Sequence, residues 1–149
     1  MSQKKGITLI ELLVAISITT IITAISVSVF SGLSNSTSLD RDANIILSYV
    51  TKARTKAIDS VDSLAHGVSF ASTSVKVFAG TTLSAASVSE SYTLRGAARI
   101  STVNLTNATS SFYFNKLTGN PSATGSITVT LAGESKTIVI YATGIAEIQ

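Results

Sequence analysis

The chain has 149 residues, of which 45% are hydrophobic and 13% are charged, values that exclude a highly charged disordered chain and fit one small domain with or without a short appendage. It has no cysteine, which excludes disulfides and thiolate metal sites, and its single histidine, His66, has no second histidine as a partner in a metal or catalytic site. The formal charge of +3 is mildly basic, but without Lys4 and Lys5 nine basic and eight acidic side chains remain, a net charge of +1.

A long apolar stretch follows Lys4 and Lys5. Residues 7–30 contain one charged side chain, Glu11, and as a helix they would extend about 36 Å, which is enough to cross the apolar core of a bilayer. The two lysines predict that the N-terminus is cytoplasmic and that the rest of the chain lies outside, by the positive-inside rule.

Two simpler interpretations of this stretch are a secretory signal peptide, cleaved near residues 24–26, and a plain single-span anchor. Neither accounts for Glu11. A charge near the centre of a membrane helix costs about 2.5–3.5 kcal/mol on insertion scales, so a segment that serves only for export or anchoring has little use for a carboxylate.

Residues 31–38 are poor helix formers and alone would be predicted as a linker. Residues 40–61 form an amphipathic helical pattern, with apolar positions three and four apart, which predicts one face packed on a sheet. The basic residues on the other faces could form a nucleic-acid patch, but we favour a solvated helix face. These basic residues are Arg41, Lys52, Arg54 and Lys56.

From about residue 68 to 148 the pattern predicts six or seven short β-strands between Gly, Ser and Asn breaks. A long helix followed by several strands predicts an α+β fold. The expected architecture is a long N-terminal α-helix, half membrane-spanning and half amphipathic, packed on a C-terminal antiparallel β-sheet head.

Gly6 and the ten residues after it, ITLIELLVAI, closely resemble the start of type IV pilins and type II secretion pseudopilins. The resemblance implies that prepilin peptidase cleaves between Gly6 and Ile7 and methylates Ile7 as the new N-terminus. It also implies a pilin-like fold with three parts: a leader peptide at 1–6, a hydrophobic transmembrane and filament-core helix at 7–33, and a globular head at 34–149. With this resemblance we expect the helix to continue through residues 31–38 in the isolated subunit.

The resemblance also implies an assembly role for Glu11. A carboxylate buried in a membrane or among apolar helices needs a cation or a proton, and cleavage would create a cationic α-amine on Ile7. Ile7 and Glu11 are spaced i, i+4 and could pair within one chain. The resemblance implies instead a pairing between Glu11 and the α-amine of a neighbouring subunit, and the sequence leaves both alternatives open.

Three C-terminal segments, FYFNKLTG, GSITV and KTIVIYATG, resemble the last three-strand block of H-type minor pseudopilins and of T-type minor pilins. The resemblance implies a minor structural subunit of a type IV pilus or a type II secretion pseudopilus. The implied partners are other pilin or pseudopilin subunits, prepilin peptidase and an inner-membrane assembly platform, with the membrane contacted through residues 7–33. The subunit would be a single-pass cytoplasmic membrane protein before assembly, and then part of a periplasmic or extracellular fibre.

Other functions find little support in the sequence. It has no phosphate-binding loop, dinucleotide motif or metal-ligand spacing, so we predict no enzyme activity and no cofactor, and we interpret His66 as a turn or surface residue. The alternative is a DNA-binding minor pilin for DNA uptake. Such pilins carry a G-R-x-R pattern, whereas residues 144–147 here read GIAE. The near-neutral charge without the leader also argues against nucleic-acid binding.

Overall fold

The computed structural model describes residues 6–84, 87–107 and 109–149, and the side chains of residues 27–33 are outside this description. The chain divides into two compact units, with the boundary between Asn35 and Ser36. Helix α1, Leu9–Ile58, contributes residues to both units. The second unit, residues 36–149, is called the head below.

In the first unit, α1 presents an apolar surface. Its window Leu9–Ser26, called the apolar segment below, has a mean hydropathy of 2.2 with none of its residues buried, and its large apolar side chains are 48% to 81% exposed. The hydroxyls donate hydrogen bonds of 2.5–2.9 Å to carbonyls four residues earlier, which satisfies them within the helix. The hydroxyls belong to Ser17, Thr19, Thr20, Thr23 and Ser26. The segment therefore suits an apolar environment such as lipid.

In the head, one face of α1 is buried. Its apolar residues recur every three or four positions, the spacing that aligns side chains on one side of a helix. All are 0–1% exposed and, except Ala43, belong to one hydrophobic core cluster with the strands. The six residues are Leu39, Ala43, Ile46, Val50, Ala53 and Ala57. This packing stabilises the C-terminal part of α1, since tertiary burial of an apolar face contributes most of the stability of helices in proteins.

After α1 come a short 3₁₀ segment, Val61–Ser63, and eight β-strands among the described residues. The strands are β1 (His66–Ala71), β2 (Ser74–Ala79), β3 (Val88–Thr93), β4 (Arg99–Leu105), β5 (Ser111–Phe114), β6 (Gly125–Leu131), β7 (Glu134–Ile140) and β8 (Ala146–Ile148). They form two four-stranded antiparallel sheets, with the orders β3-β2-β1-β5 and β4-β6-β7-β8.

Strand β1 lies in the middle of the first sheet and is buried from His66 to Phe70. Gly67 is required by close packing here, because a β-carbon at this position would meet the ring of Phe78 and the carbonyl oxygen of Phe112. In the second sheet, β6 and β7 alternate buried and half-buried residues, with Ile127, Val129, Ile138 and Ile140 directed into the core. The two sheets and the helix face thus share one core.

Polar contacts tie α1 to the edge strand β3. The ammonium groups of Lys52 and Lys56 lie 2.6 and 3.0 Å from the carboxylate of Glu90. Asp42 is only 1% exposed, and its carboxylate accepts a 2.7 Å hydrogen bond from the hydroxyl of Tyr92. Burial and this hydrogen bond raise the pKa of Tyr92, so the hydroxyl keeps its proton and serves as a donor.

The α+β, pilin-like fold class predicted from the sequence is confirmed, and α1 continues through residues 31–38 as expected. Two details differ. Among the described residues the structure has eight strands where six or seven were predicted, and the segments identified from the sequence did not include β1 or the three-residue strand β8, which pairs with β7. His66 is not a turn or surface residue: it is 2% exposed and begins β1, paired with Ala79 and Phe114.

Candidate processing and assembly site

The predicted processing site lies just before α1. Gly6, Ile7 and Thr8 are outside the helix, and the side chain of Ile7 is 77% exposed. A β-carbon on Gly6 would meet no atom within 4 Å, so the described fold does not itself require glycine here. The peptide bond between Gly6 and Ile7 is thus open to solvent and free of helical hydrogen bonding. Lys4 and Lys5, the predicted leader charges, lie outside the described residues.

Thr8 caps the start of α1. Its hydroxyl oxygen accepts a 3.3 Å hydrogen bond from the backbone N–H of Glu11, and its carbonyl accepts one of 3.2 Å from Leu12. Thr8 is therefore the N-cap and Glu11 the third helical residue, the positions that a threonine and a glutamate take in a capping box. Sequence reasoning missed Thr8, although the pattern T-x-x-E before an apolar run was available as a signal.

Glu11 lies in the first turn of α1, where a negative charge interacts favourably with the helix dipole. Its side chain is exposed, and among the described residues no cation forms an ion pair with it. Before cleavage, the nitrogen of Ile7 is a peptide nitrogen and carries no charge. The expected partner of Glu11, a free α-amine, can exist only after the leader is removed.

Ile7 and Glu11 are four residues apart, but Ile7 lies two residues before α1 begins. The side-chain geometry of an i, i+4 pair depends on both residues being helical. The structure therefore places Ile7 and Glu11 at the same end of α1. It does not give them the helical i, i+4 geometry that pairing within one chain would require.

A comparison with protein-family models finds a match over residues 1–27, to the prokaryotic N-terminal methylation motif. This motif is the signature of type IV pilins and pseudopilins. The chain carries the pilin signature. Neither the curated proteins nor the solved structures contain a match.

The pilin signature accounts for the exposure of the apolar segment. The match to this motif covers residues 1–27 and supports a pilin-like subunit of the kind that prepilin peptidase processes and that assembles with other pilin subunits. Its apolar segment is long and apolar enough to cross a membrane, which fits the membrane anchoring that the motif suggests. The methylation motif defines a structural class of subunit rather than an enzyme class.

In the head, three of the four basic residues of α1 have partners, whereas Arg41 is exposed. Lys52 and Lys56 contact Glu90, and Arg54 donates a 3.2 Å hydrogen bond to the carbonyl of Thr143. Gly144 allows this approach, since a β-carbon there would meet the guanidinium of Arg54. The described residues contain no group of three His, Asp or Glu side chains that could hold a metal ion.

Proposed function

We propose that this chain is a minor pilin or pseudopilin whose leader is cut between Gly6 and Ile7 and whose helix, residues 7–33, enters the core of a fibre. The observation that carries the proposal is an exposed, capped apolar helix with a carboxylate in its first turn that has no cationic partner among the described residues. Lys4 and Lys5 would orient the chain, with the head outside the cytoplasm.

The position of the Gly6–Ile7 bond supports its role as the cleavage site. The bond precedes the first helical hydrogen bonds, so a peptidase can bind it in an extended form without unwinding α1. Because glycine at position 6 meets no steric demand of the fold, its presence is best explained by a demand of the peptidase. After cleavage, Ile7 would become the methylated N-terminus.

The partner that we propose for Glu11 is the α-amine of Ile7 in a neighbouring subunit. Among packed apolar helices an uncompensated charge costs several kcal/mol, and pairing in good geometry removes much of this cost. Subunits would thus be added in the register that brings amine and carboxylate together. Glu11 has no ion pair within residues 6–84, 87–107 and 109–149, and Ile7 lies outside the helix; both observations support a partner outside the chain.

The proposed fibre is either a type IV pilus or a type II secretion pseudopilus. An inner-membrane platform would assemble it, and it would lie in the periplasm or outside the cell. The C-terminal resemblance to H-type pseudopilins and T-type pilins supports a minor subunit. DNA capture is less well supported, because residues 144–147 read GIAE where DNA-binding pilins carry G-R-x-R, and because Lys52 and Lys56 on α1 are paired with Glu90.

The test is Glu11→Val in the native host. We expect normal N-terminal processing and membrane insertion, measured by mass spectrometry of the N-terminus and by membrane flotation. We expect incorporation into sheared fibres to fall by at least about tenfold, because the α-amine of the neighbour would be buried without a counter-charge at a cost of several kcal/mol.

Glu147→Val is a matched control, since it removes an exposed carboxylate from β8 in the head and should leave incorporation unchanged. Normal incorporation of Glu11→Val would contradict the charge-pairing proposal. A processed wild-type chain whose N-terminus is not a methylated Ile7 would contradict the assigned cleavage site.

A further inference from the structure

One end of the head surrounds the part of α1 that follows Ser36, where the head begins. The turn Arg95–Ala98 closes through a hydrogen bond from the N–H of Ala98 to the carbonyl of Arg95. The N–H of Arg95 lies 3.4 Å from the carboxylate of Asp42 on α1. On either side of this turn, Leu94 and Ile100 donate 2.8 Å hydrogen bonds to the carbonyls of residues 73 and 72 in the β1–β2 turn. We call this the tethered end, because the chain enters the head here from the apolar segment.

Three of the four arginines of the chain belong to the tethered end: Arg41, Arg95 and Arg99. All three are exposed, and none forms an ion pair with any residue that the structure describes, although the guanidinium of Arg95 also interacts with the hydroxyl of Tyr92 and acts to lower its pKa. The guanidinium of Arg99 donates only to the adjacent carbonyl of Ala98, at 3.0 Å. The fourth arginine, Arg54, is held at the other end of the head by the carbonyl of Thr143.

The acids of the tethered end are largely engaged elsewhere. Asp42 is buried and accepts a hydrogen bond from Tyr92, while Asp40 lies 2.9 Å from the ammonium group of Lys136. The charged groups left at the surface are then the three guanidiniums and Glu134, at the start of β7. The exposed charge of this end is therefore positive, although its formal charges nearly balance.

The chain connection brings this charge near a membrane surface. Nine residues separate Ser26, the end of the apolar segment, from Ser36, the start of the head. They span about 14 Å as a helix and at most about 30 Å when extended. An anionic surface acts over about a Debye length, 8–10 Å at physiological ionic strength. The tethered end is the part of the head that the chain connects most directly to the apolar segment, so it is the part that this short connection allows to reach lipid headgroups.

We propose that Arg41, Arg95 and Arg99 form a docking surface for anionic lipid headgroups, which holds the head against the outer leaflet while the subunit waits in the membrane. Guanidinium binds phosphate oxygens through two parallel hydrogen bonds, which favours arginine over lysine for this task. Entry into a fibre would release the contact. This inference rests on the membrane anchoring in the proposed function but not on the pairing of Glu11.

The test uses the full chain in vesicles of phosphatidylcholine alone or with 30% phosphatidylglycerol. Because the chain has no cysteine, Ala97→Cys gives a single labelling site in the exposed Arg95–Ala98 turn. Energy transfer from this label to a headgroup-labelled lipid measures docking. Ala142→Cys, in the exposed turn beside Thr143, reports on the other end of the head.

We expect higher transfer from position 97, but not from position 142, when phosphatidylglycerol is present, and loss of the difference at 0.5 M salt. Each arginine should change the ratio of docked to undocked heads by about fivefold. The double variant Arg95→Gln/Arg99→Gln should therefore lower that ratio by about twentyfold or more. Lys76→Gln/Lys116→Gln is the matched control, since it removes two exposed cations that are not among the three arginines and should have little effect.

Equal transfer in the two kinds of vesicle, or equal loss in the two double variants, would overturn the proposal. An arginine-dependent response to added duplex DNA together with no response to phosphatidylglycerol would overturn the lipid assignment in favour of nucleic acid. Flotation of the same samples separates the two proposals: a chain that fails to float with vesicles contradicts the anchor, whereas one that floats without docking contradicts only the arginine surface.

Discussion

The two parts of α1 place similar residues in opposite environments. In the apolar segment, Ile18 is 53% exposed, whereas Ile46 in the head is fully buried. The segment has apolar side chains around its circumference and satisfies its hydroxyls internally. The head portion concentrates its apolar residues on one face, and its lysines and acids interact with β3 and β7.

This difference shows which environment each part is built for. A helix that is apolar all round must find its partner outside the chain, in lipid or in other apolar helices. A helix with one apolar face completes its packing within the chain. The head can therefore keep its own core whatever surrounds the apolar segment.

The largest expected effect is on the core, and it is tested by Ile46→Ala. Removing this buried side chain should lower the free energy of unfolding of the head by about 2–5 kcal/mol, through lost burial and the cavity that remains. Ile18→Ala is the matched control in the apolar segment and should leave head stability unchanged. All four tyrosines lie in residues 49–141, so near-ultraviolet circular dichroism in detergent during urea titration reports on the head alone. Equal effects of the two variants would contradict the division into separately packed parts.

Much of this comparison could be predicted from the sequence, because it depends on local periodicity. The apolar run with Glu11 and the spacing of Ile46, Val50 and Ala53 are patterns within one helix. Contacts between distant residues could not be predicted: Lys52 and Glu90 are 38 residues apart, and Asp42 and Tyr92 are 50 apart. Their meeting depends on the position of β3 beside α1, which no local pattern encodes.

His66 was predicted wrongly for the same reason, because its position depends on contacts between distant residues. Its neighbour Gly67 suggested a turn, but the glycine is there because the ring of Phe78 packs on the backbone of β1. The three-residue strand β8 was missed because a segment as short as Ala146–Ile148 has too few residues to show alternation. At the predicted processing and assembly site, Gly6, Ile7 and Glu11 were proposed from a short motif, and the same motif contained the signal for the cap by Thr8.

The second expected effect is a pH dependence confined to the head. Burial lowers the pKa of His66, which is 2% exposed, below its ordinary value of about 6.5. Lys56 also lowers this pKa, while the backbone of Leu64 and the carboxylate of Asp62 raise it. Below pH 6.5 the unfolded chain therefore binds more protons than the folded head, so stability is full above that pH and decreases as the pH falls through that region.

We expect the urea concentration at the unfolding midpoint to decrease when the pH is lowered from 7.5 to 5.5. This decrease should be smaller than the one that Ile46→Ala causes. Because His66 is the single histidine of the chain, His66→Gln should remove this slope even if it lowers stability at every pH. The Ile18→Ala control keeps His66 and should retain the slope. An unchanged slope in His66→Gln would assign the proton uptake to another group.

The smallest expected effect is on the contact between α1 and β3, tested by Glu90→Gln. Hydrogen bonds from Lys52 and then Lys56 hold the pKa of Glu90 below its ordinary value of 4.5. The stabilisation of the head by these two interactions is therefore present above pH 4.5, and it is lost as the pH falls through the lower pKa that Glu90 has in the folded state. These side chains are partly exposed, so removing the carboxylate at pH 7 should lower the free energy of unfolding by only about 0.2–1 kcal/mol, and by less in 0.5 M salt than in 0.05 M.

Glu134→Gln, which removes an exposed acid with no ion pair among the described residues, should change neither the stability nor its salt dependence. A loss in Glu90→Gln that is independent of salt would show that packing of β3, rather than its charge, holds the strand to the helix.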